Sequence, residues 1–421
     1  MWFERIQSID FTLKKWSLST MTGFCQVILT LPTLKKLSFT WQCSENEAKV
    51  FQNEYIQTLS KSNITNVGLD YSDSAIDWDI STTNLFASWI LEKPVSNICV
   101  SCIPSSEVCT EILFGAIMGS STLVHCAIAN LLQVAVLKKI HTLPPALKTL
   151  WLHASFSWNI ECTKSMLQHS KVRDLKLTNG SDDEDEFEDC TEFTYDFWTS
   201  TLPSMLCLQY LEINKFEVNT DVLATILPRL INLKLIQNGI TDTQAFVIIK
   251  TVPKCTRLES LDFAFQQLTF LSALELSVVI PKCQSLKALN LQDNFIGSVG
   301  ALGLSRVLKY LDIVNFSRNN IGFDGAAAIS RYLCDTEHMK YLLLNGNFID
   351  TDGILSIIRA LSKSKYRQGC VQLINIIPTD ESYDTCRIAM ESLPNKSWVK
   401  LYGRFQGMVG PNTHRNEFTS E

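Results

Sequence analysis

Few side chains in these 421 residues are spaced for chemistry. Cys99-Val-Ser-Cys102 has the separation of two metal ligands, but no second Cys or His pair follows at a suitable interval. Ordinary half-buried cysteines are therefore expected there, not a zinc site. The six histidines are dispersed, and no G-x-S-x-G, H-E-x-x-H, P-loop or dinucleotide glycine pattern occurs. No catalytic set can be assembled, so no enzyme activity, cofactor or metal is expected. The acidic run from Asp182 to Asp189 lacks the alternating ligands and central glycine of a calcium loop. It reads as a solvated insertion over residues 180–192, because like charges repel and extend the chain. Binding of a basic partner, or phosphorylation at Ser181, are the functional alternatives for that run.

Bulk composition narrows the classes further. With 46% hydrophobic and 19% charged residues the chain buries a substantial core, which argues against large-scale disorder. A formal net charge of −6 leaves no broad positive field for phosphates, so no nucleic-acid partner is expected. The fourteen cysteines are scattered singly, as suits a reducing compartment. The start Met1-Trp-Phe-Glu-Arg5 lacks a basic segment followed by an apolar one, so the expected location is the cytoplasm, with the nucleus as the alternative. Leu113 to Leu137 carries no formal charge and is long enough to cross a bilayer. Its Ser120, Ser121, Thr122, His125, Asn130 and Gln133 favour a helix, strand, helix reading, and no membrane span is expected.

The elements that position these residues come from an internal repeat. Leu286, Leu289, Leu291, Asn294 and Ile296 recur as Leu311, Val314, Phe316, Asn319 and Ile321, and again as Met339, Leu342, Leu344, Asn347 and Ile349. Earlier copies carry Leu258, Leu261, Phe263, Gln266, Leu268 and Leu230, Leu233, Leu235, Asn238, Ile240. The pattern L-x-x-L-x-L-x-x-N-x-I resembles the leucine-rich repeats, and the commonest step of 28 residues resembles their long, helix-containing, ribonuclease-inhibitor-like class. Copies start at Ile6, Leu34, Ile64, Val95, Leu123, Leu147, Val172, Leu208, Leu230, Leu258, Leu286, Leu311, Met339 and Val371, the first seven much weaker than the last seven. A further degenerate strand is expected around Trp398 to Leu401.

Each copy joins two periods. Leu289 and Leu291 point to one face of a short strand while Asn290 and Gln292 point to the other. Ile354, Ile357, Ile358 and Leu361 then show helical spacing. Gly300-Ala301 and Gly325-Ala326 at the helix starts allow close approach to the strand layer. The Asn column is expected to satisfy backbone groups in the turns. Val252-Pro-Lys-Cys255 and Ile280-Pro-Lys-Cys283, 28 residues apart, point to duplication. Their prolines are expected to close the preceding helix by pushing the residue before them out of the α region.

The resemblance implies a right-handed α/β solenoid, a horseshoe with parallel strands on its concave face and helices on its convex face. About fourteen repeats would span residues 1–402, followed by a polar tail over 403–421. The central x of L-x-L then reads, copy by copy, Asp10, Ser38, Gly68, Cys99, Ala127, Trp151, Lys176, Glu212, Lys234, Asp262, Asn290, Asn315, Leu343 and Asn375. Trp151 and His153 stand out as an aromatic element facing outward, followed by Lys176, Tyr210, Glu212, Lys215, Lys234 and Asp262. Aromatic anchors amid charges suit a protein-binding hot spot. Repeat proteins share this architecture across unrelated tasks. The expected work is non-enzymatic binding of a protein partner on the concave face. The alternatives are a ubiquitin-ligase substrate receptor similar to F-box leucine-rich-repeat proteins, for which Ile6 leaves no F-box ahead of the repeats, and a small-GTPase regulator similar to the Ran GTPase-activating protein, whose acidic segment follows its repeats. An innate-immune receptor fragment would need a P-loop that these residues lack.

Overall fold

The structure is a computed structural model. It describes residues 6–374 apart from 14–16, 42–44, 71–77, 101–105, 129–141, 155–159, 180–194, 334, 337–338 and 364–369, together with 385–386, 388–389, 391 and 399–402. The acidic run Asp182 to Asp189, Cys102, Asn375 and the tail over 403–421 lie outside the described residues. The chain divides into two compact units, residues 1–266 with 283–285 and residues 267–282 with 286–421.

In the first unit helices lie between most successive strands among the described residues. The strands are β1 (Ser8–Leu13), β2 (Lys36–Trp41), β3 (Asn66–Asp70), β4 (Asn97–Val100), β5 (His125–Ile128), β6 (Thr149–Ala154), β7 (Asp174–Asn179), β8 (Tyr210–Asn214), β9 (Asn232–Ile236) and β10 (Ser260–Asp262). Between them lie the helices α1 (Leu18–Leu29), α2 (Glu45–Lys61), α3 (Ile80–Glu92), α4 (Glu107–Gly119), α5 (Ile160–Leu167), α6 (Thr220–Ile226) and α7 (Asp242–Ile249). Each strand pairs in parallel with the next in chain order. Alternation along the strands puts one apolar column, Leu37, Val67, Ile98, Cys126, Leu150, Leu175, Leu211, Leu233 and Leu261, wholly in the core. Helix starts are fixed by side-chain caps: Asp79 accepts from the Thr82 amide at 2.7 Å, and Asn219 from the Val222 amide at 3.1 Å. Aromatic rings fill the core where the repeat is weakest. Phe11, Phe24, Phe39 and Tyr55 pack edge to face or stacked, and Phe86 lies between Trp78 and Trp89.

The second unit holds α8 (Phe270–Val279), β11 (Ala288–Asn290), α9 (Gly297–Ser305), β12 (Ile313–Asn315), α10 (Phe323–Leu333), β13 (Tyr341–Leu343), α11 (Thr351–Lys363), β14 (Cys370–Ile374) and β15 (Val399–Tyr402), and its strands pair in parallel in chain order. Its turns are built on the asparagine column. Asn347 accepts from the Asn319 and Ile321 amides at 2.9 and 3.0 Å and donates to the Phe316 and Leu344 carbonyls, both at 2.9 Å. Asn294 accepts from the Leu268 amide at 3.0 Å, and Asn319 donates to the Leu291 and Ser317 carbonyls. In the first unit Gln266 does the same work, accepting from the amides of Asn238 and Ile240 at 3.1 and 2.9 Å. These buried amides replace the ladder bonds that the chain gives up as it leaves the sheet. The residue ahead of each amide, Gln237, Phe265, Asp293, Arg318 or Gly346, has a positive φ of 53 to 65°, which turns the backbone so that the amide points inward.

The small residues expected to bring helices close to the strand layer instead bring each helix close to the helix before it. A Cβ added at Gly325 would lie 2.5 Å from Ile321 Cγ2 and 3.1 Å from Ser298 Cα. Strand, turn and close-packed helix, repeated with parallel pairing, make the chain a leucine-rich-repeat solenoid in fold.

Two further sequence expectations are revised. Pro281 does not push its neighbour out of the α region: Ile280 keeps φ −54° and ψ −41°, and a 3₁₀ turn over Ile280–Lys282 prolongs the helix. Proline fits because the first turn of a 3₁₀ segment needs no donor at that position. The last strong copy is out of register: Leu343 pairs with Gln372, so Gln372 and not Asn375 occupies the register position of the outward row. Val371 is itself the first core residue of L-x-L, since it pairs with the buried Leu342. The uncharged stretch from Leu113 breaks after Gly119 and resumes as β5, and among the described residues no helix is long and apolar enough to cross a membrane.

Candidate functional site

The outward face of the first unit's sheet displays one row of residues in strict register, Asp10, Ser38, Gly68, Cys99, Ala127, Trp151, Lys176, Glu212, Lys234 and Asp262. This is the row that L-x-L spacing marks in the sequence. Its two halves differ in kind. From β2 to β5 the residues are small, and they floor a shallow trough of about 270 Å³. Ser38, Gly68, Cys99 and Ala127 form the floor, and Asn66, Asn97 and His125 run alongside on the same strands. Gly68 keeps the floor open, since a Cβ there would meet Ser38 Oγ at 2.8 Å. Lys36 stands at one end, beside Asp10 at 3.4 Å, and Trp151 closes the other. The Asn66, Asn97, His125 row was not singled out by the sequence. Its signal is present two residues after each repeat start, where Ile64, Val95 and Leu123 give those three side chains.

From β6 to β9 the row becomes a ladder of rings and charges. Trp151 is 45% exposed, and Lys176 Nζ lies 5.5 Å from the centre of its ring. Lys176 turns the same ammonium to Glu212 Oε1 at 2.8 Å, while Lys234 approaches Glu212 Oε2 at 3.8 Å and sits 5.6 Å over the Tyr210 ring. The Tyr210 hydroxyl donates to Glu212 Oε2. Glu212 is only 5% exposed. Burial alone would raise its pKa, but Lys176, the Tyr210 hydroxyl and Lys234 outweigh it, and the carboxyl is held below its ordinary value. Tyr210 is pushed well above its ordinary value, first by burial and then by the Glu212 charge, and it stays a donor.

The candidate residues therefore separate. Trp151, Lys176, Tyr210 and Lys234 present surface, whereas Glu212 and Asp262 are buried and hold it. Asp262 accepts from the Ala264 amide at 2.9 Å across the turn after β10. His153 lies two residues beyond Trp151 on the same strand and is half-buried. Lys215 falls in the turn after β8 with φ 59°. Sequence reasoning finds the row because side-chain alternation is local, and it misses the burial of Glu212 because its cover comes from Lys176 and Lys234, which lie on other strands.

The ladder is a clamp rather than an acid–base pair. The carboxyl of Glu212 is held ionised and the phenol of Tyr210 neutral by the neighbours that converge on them. Cys99 is exposed on the trough floor, and the thiol of the buried Cys126 on the next strand is pushed up to about 12, chiefly by burial. Among the described residues no three His, Cys, Asp or Glu side chains are grouped to hold a metal.

No protein-family model and no curated protein matches the chain. Among solved structures it is similar to an internalin of Listeria monocytogenes, with 14% identity over 96% of this chain and 88% of that one and a TM-score of 0.36. It is also similar to a chain of the Rad7 and Elc1 complex of yeast, with 12% identity over 94% and 81% and a TM-score of 0.48. A Bacteroides fragilis protein aligns at 16% identity over 68% and 74%, with a TM-score of 0.38. At such values the fold rests on this chain's own strand register and turn amides, which are those of a leucine-rich-repeat solenoid.

Proposed function

We propose that the chain is a non-enzymatic protein-binding module, and that its partner docks on the outward sheet face of the first unit, around Trp151. The observation that carries this reading is the setting of that indole. It is half exposed at the boundary between an uncharged trough and the Lys176, Glu212, Lys234 ladder, and its orientation is held by Lys176. A large ring fixed before binding loses little freedom on complex formation, which is the property of hot-spot aromatics. The partner's fit is an apolar side chain in the trough, with polar groups against Asn97, His125 and the exposed flanks of Lys176 and Lys234. A protein suits such a mixed surface better than a nucleic acid, for which Lys176 and Lys234 are already engaged by Glu212. The subclass is ribonuclease-inhibitor-like by its 28-residue step, and the location is cytoplasmic, with the nucleus as the alternative.

The test is partner capture from cell extract followed by affinity measurement with the recovered partner. Trp151→Ala is expected to weaken binding by about 2 kcal/mol, or roughly thirtyfold, without changing the unfolding midpoint. Leu91→Ala, an exposed leucine on α3, is expected to leave affinity within about twofold. Retention of full affinity by Trp151→Ala, with loss in the Leu91 variant, places the partner on the helices and ends this reading.

A further inference from the structure

Helices α8 and α9 of the second unit carry an apolar surface that repeat packing does not use. Helix α8 buries Ser272, Ala273, Leu276 and Val279. Its outer side carries Phe270, Leu271, Leu274 and Val278, and the neighbouring outer side of α9 carries Val299 and Leu302, all between 39% and 57% exposed. A repeat helix ordinarily turns polar residues to solvent, and one that is apolar all round is covered by something. The two helices share one surface. Leu274 lies over Gly303, where an added Cβ would be 2.8 Å from Leu274 Cδ2.

The charges on this surface are Glu275 in α8 and Arg306, the C-cap of α9. Neither has an ion-pair partner among the described residues. They have opposite signs, and that selects the occupant. A uniformly basic or acidic partner segment would set a like charge against one of them, and a bilayer would have to accept both at its apolar boundary. A second copy of the same surface, related by a two-fold axis, brings each Glu275 to the other copy's Arg306 and covers both sets of apolar side chains, as an isologous interface requires.

We propose that α8 and α9 form a self-association surface, on which a second copy of this chain packs the same two helices with Glu275 of each copy facing Arg306 of the other. This is independent of the sheet-face reading, and Trp151→Ala is expected to leave it unchanged.

Sedimentation equilibrium of the full chain from about 1 to 100 µM tests it. A dimer is expected within that range. Leu274→Glu is expected to be monomeric throughout. Glu275→Arg and Arg306→Glu singly are expected to weaken the dimer by about tenfold or more, and the double variant to return to within about threefold of the original. Circular dichroism of each variant checks that these surface substitutions leave the fold intact. A monomeric parent chain at 100 µM overturns the proposal. So does a dimer indifferent to the single charge reversals, or one whose double variant fails to recover.

Discussion

Glu212 shows how one residue sets the state of its neighbours. Its carboxylate is buried yet ionised, because Lys176, Tyr210 and Lys234 converge on it. Glu212→Gln leaves two ammonium groups without their shared counter-charge and is expected to cost about 1–3 kcal/mol at neutral pH. The pH dependence has a definite sign. A carboxyl with a folded pKa below its unfolded value of about 4.3 contributes stability above that value and loses it as pH falls through the folded pKa. The gap between the parent and the Gln variant in urea unfolding is thus expected to hold from pH 7 to about 5 and to narrow steadily below about 4. A gap that widens on acidification contradicts the clamp. The identity of this cluster was legible in the sequence, since L-x-L spacing aligns Trp151, Lys176, Glu212 and Lys234. Its burial was not, because the covering Lys176 and Lys234 lie on the two neighbouring strands.

Among elements, the packing of helix on helix depends on small residues that the sequence marks, although their spacing there pointed to the strand layer and not to the neighbouring helix. Gly325 opens α10, and an added methyl would press on Ile321 Cγ2 and on the backbone at Ser298. Side chains can rotate away but the Ser298 Cα cannot, so Gly325→Ala is expected to destabilise by about 1–3 kcal/mol despite the better helix propensity of alanine. An unfolding midpoint equal to or above the parent's shows that the helix can shift outward. The turns were read correctly from the Asn column, whose amides bridge one repeat to the next. The proline turns were not, because steric exclusion before proline is weaker than the pull of a helix that can tighten into a 3₁₀ turn.

At the scale of the molecule, stability in a stacked array is a sum of repeat and neighbour terms, so damage stays near its source. Leu211 is fully buried in β8, between Leu175 and Leu233. Leu211→Ala is expected to cost about 2–5 kcal/mol. Hydrogen exchange should quicken most on β7, β8 and β9 and fade toward β1, whereas uniform acceleration over the unit would reveal a single cooperative block. By itself the sequence determined where the strands fall, which columns are core, which amides close the turns and which residues share the outward row, from Asp10 through Asp262. Those features follow from periods of 2, 3.6 and about 28 residues, which are local or repeat along the chain. The tertiary structure alone decided the rest. It set β14 on Gln372 through pairing with Leu343, sank Glu212 beneath two lysines, opened a trough over Gly68 and left the outer face of α8 apolar and uncovered. Each depends on the size and charge of side chains brought together from different repeats, and no one-dimensional period records that.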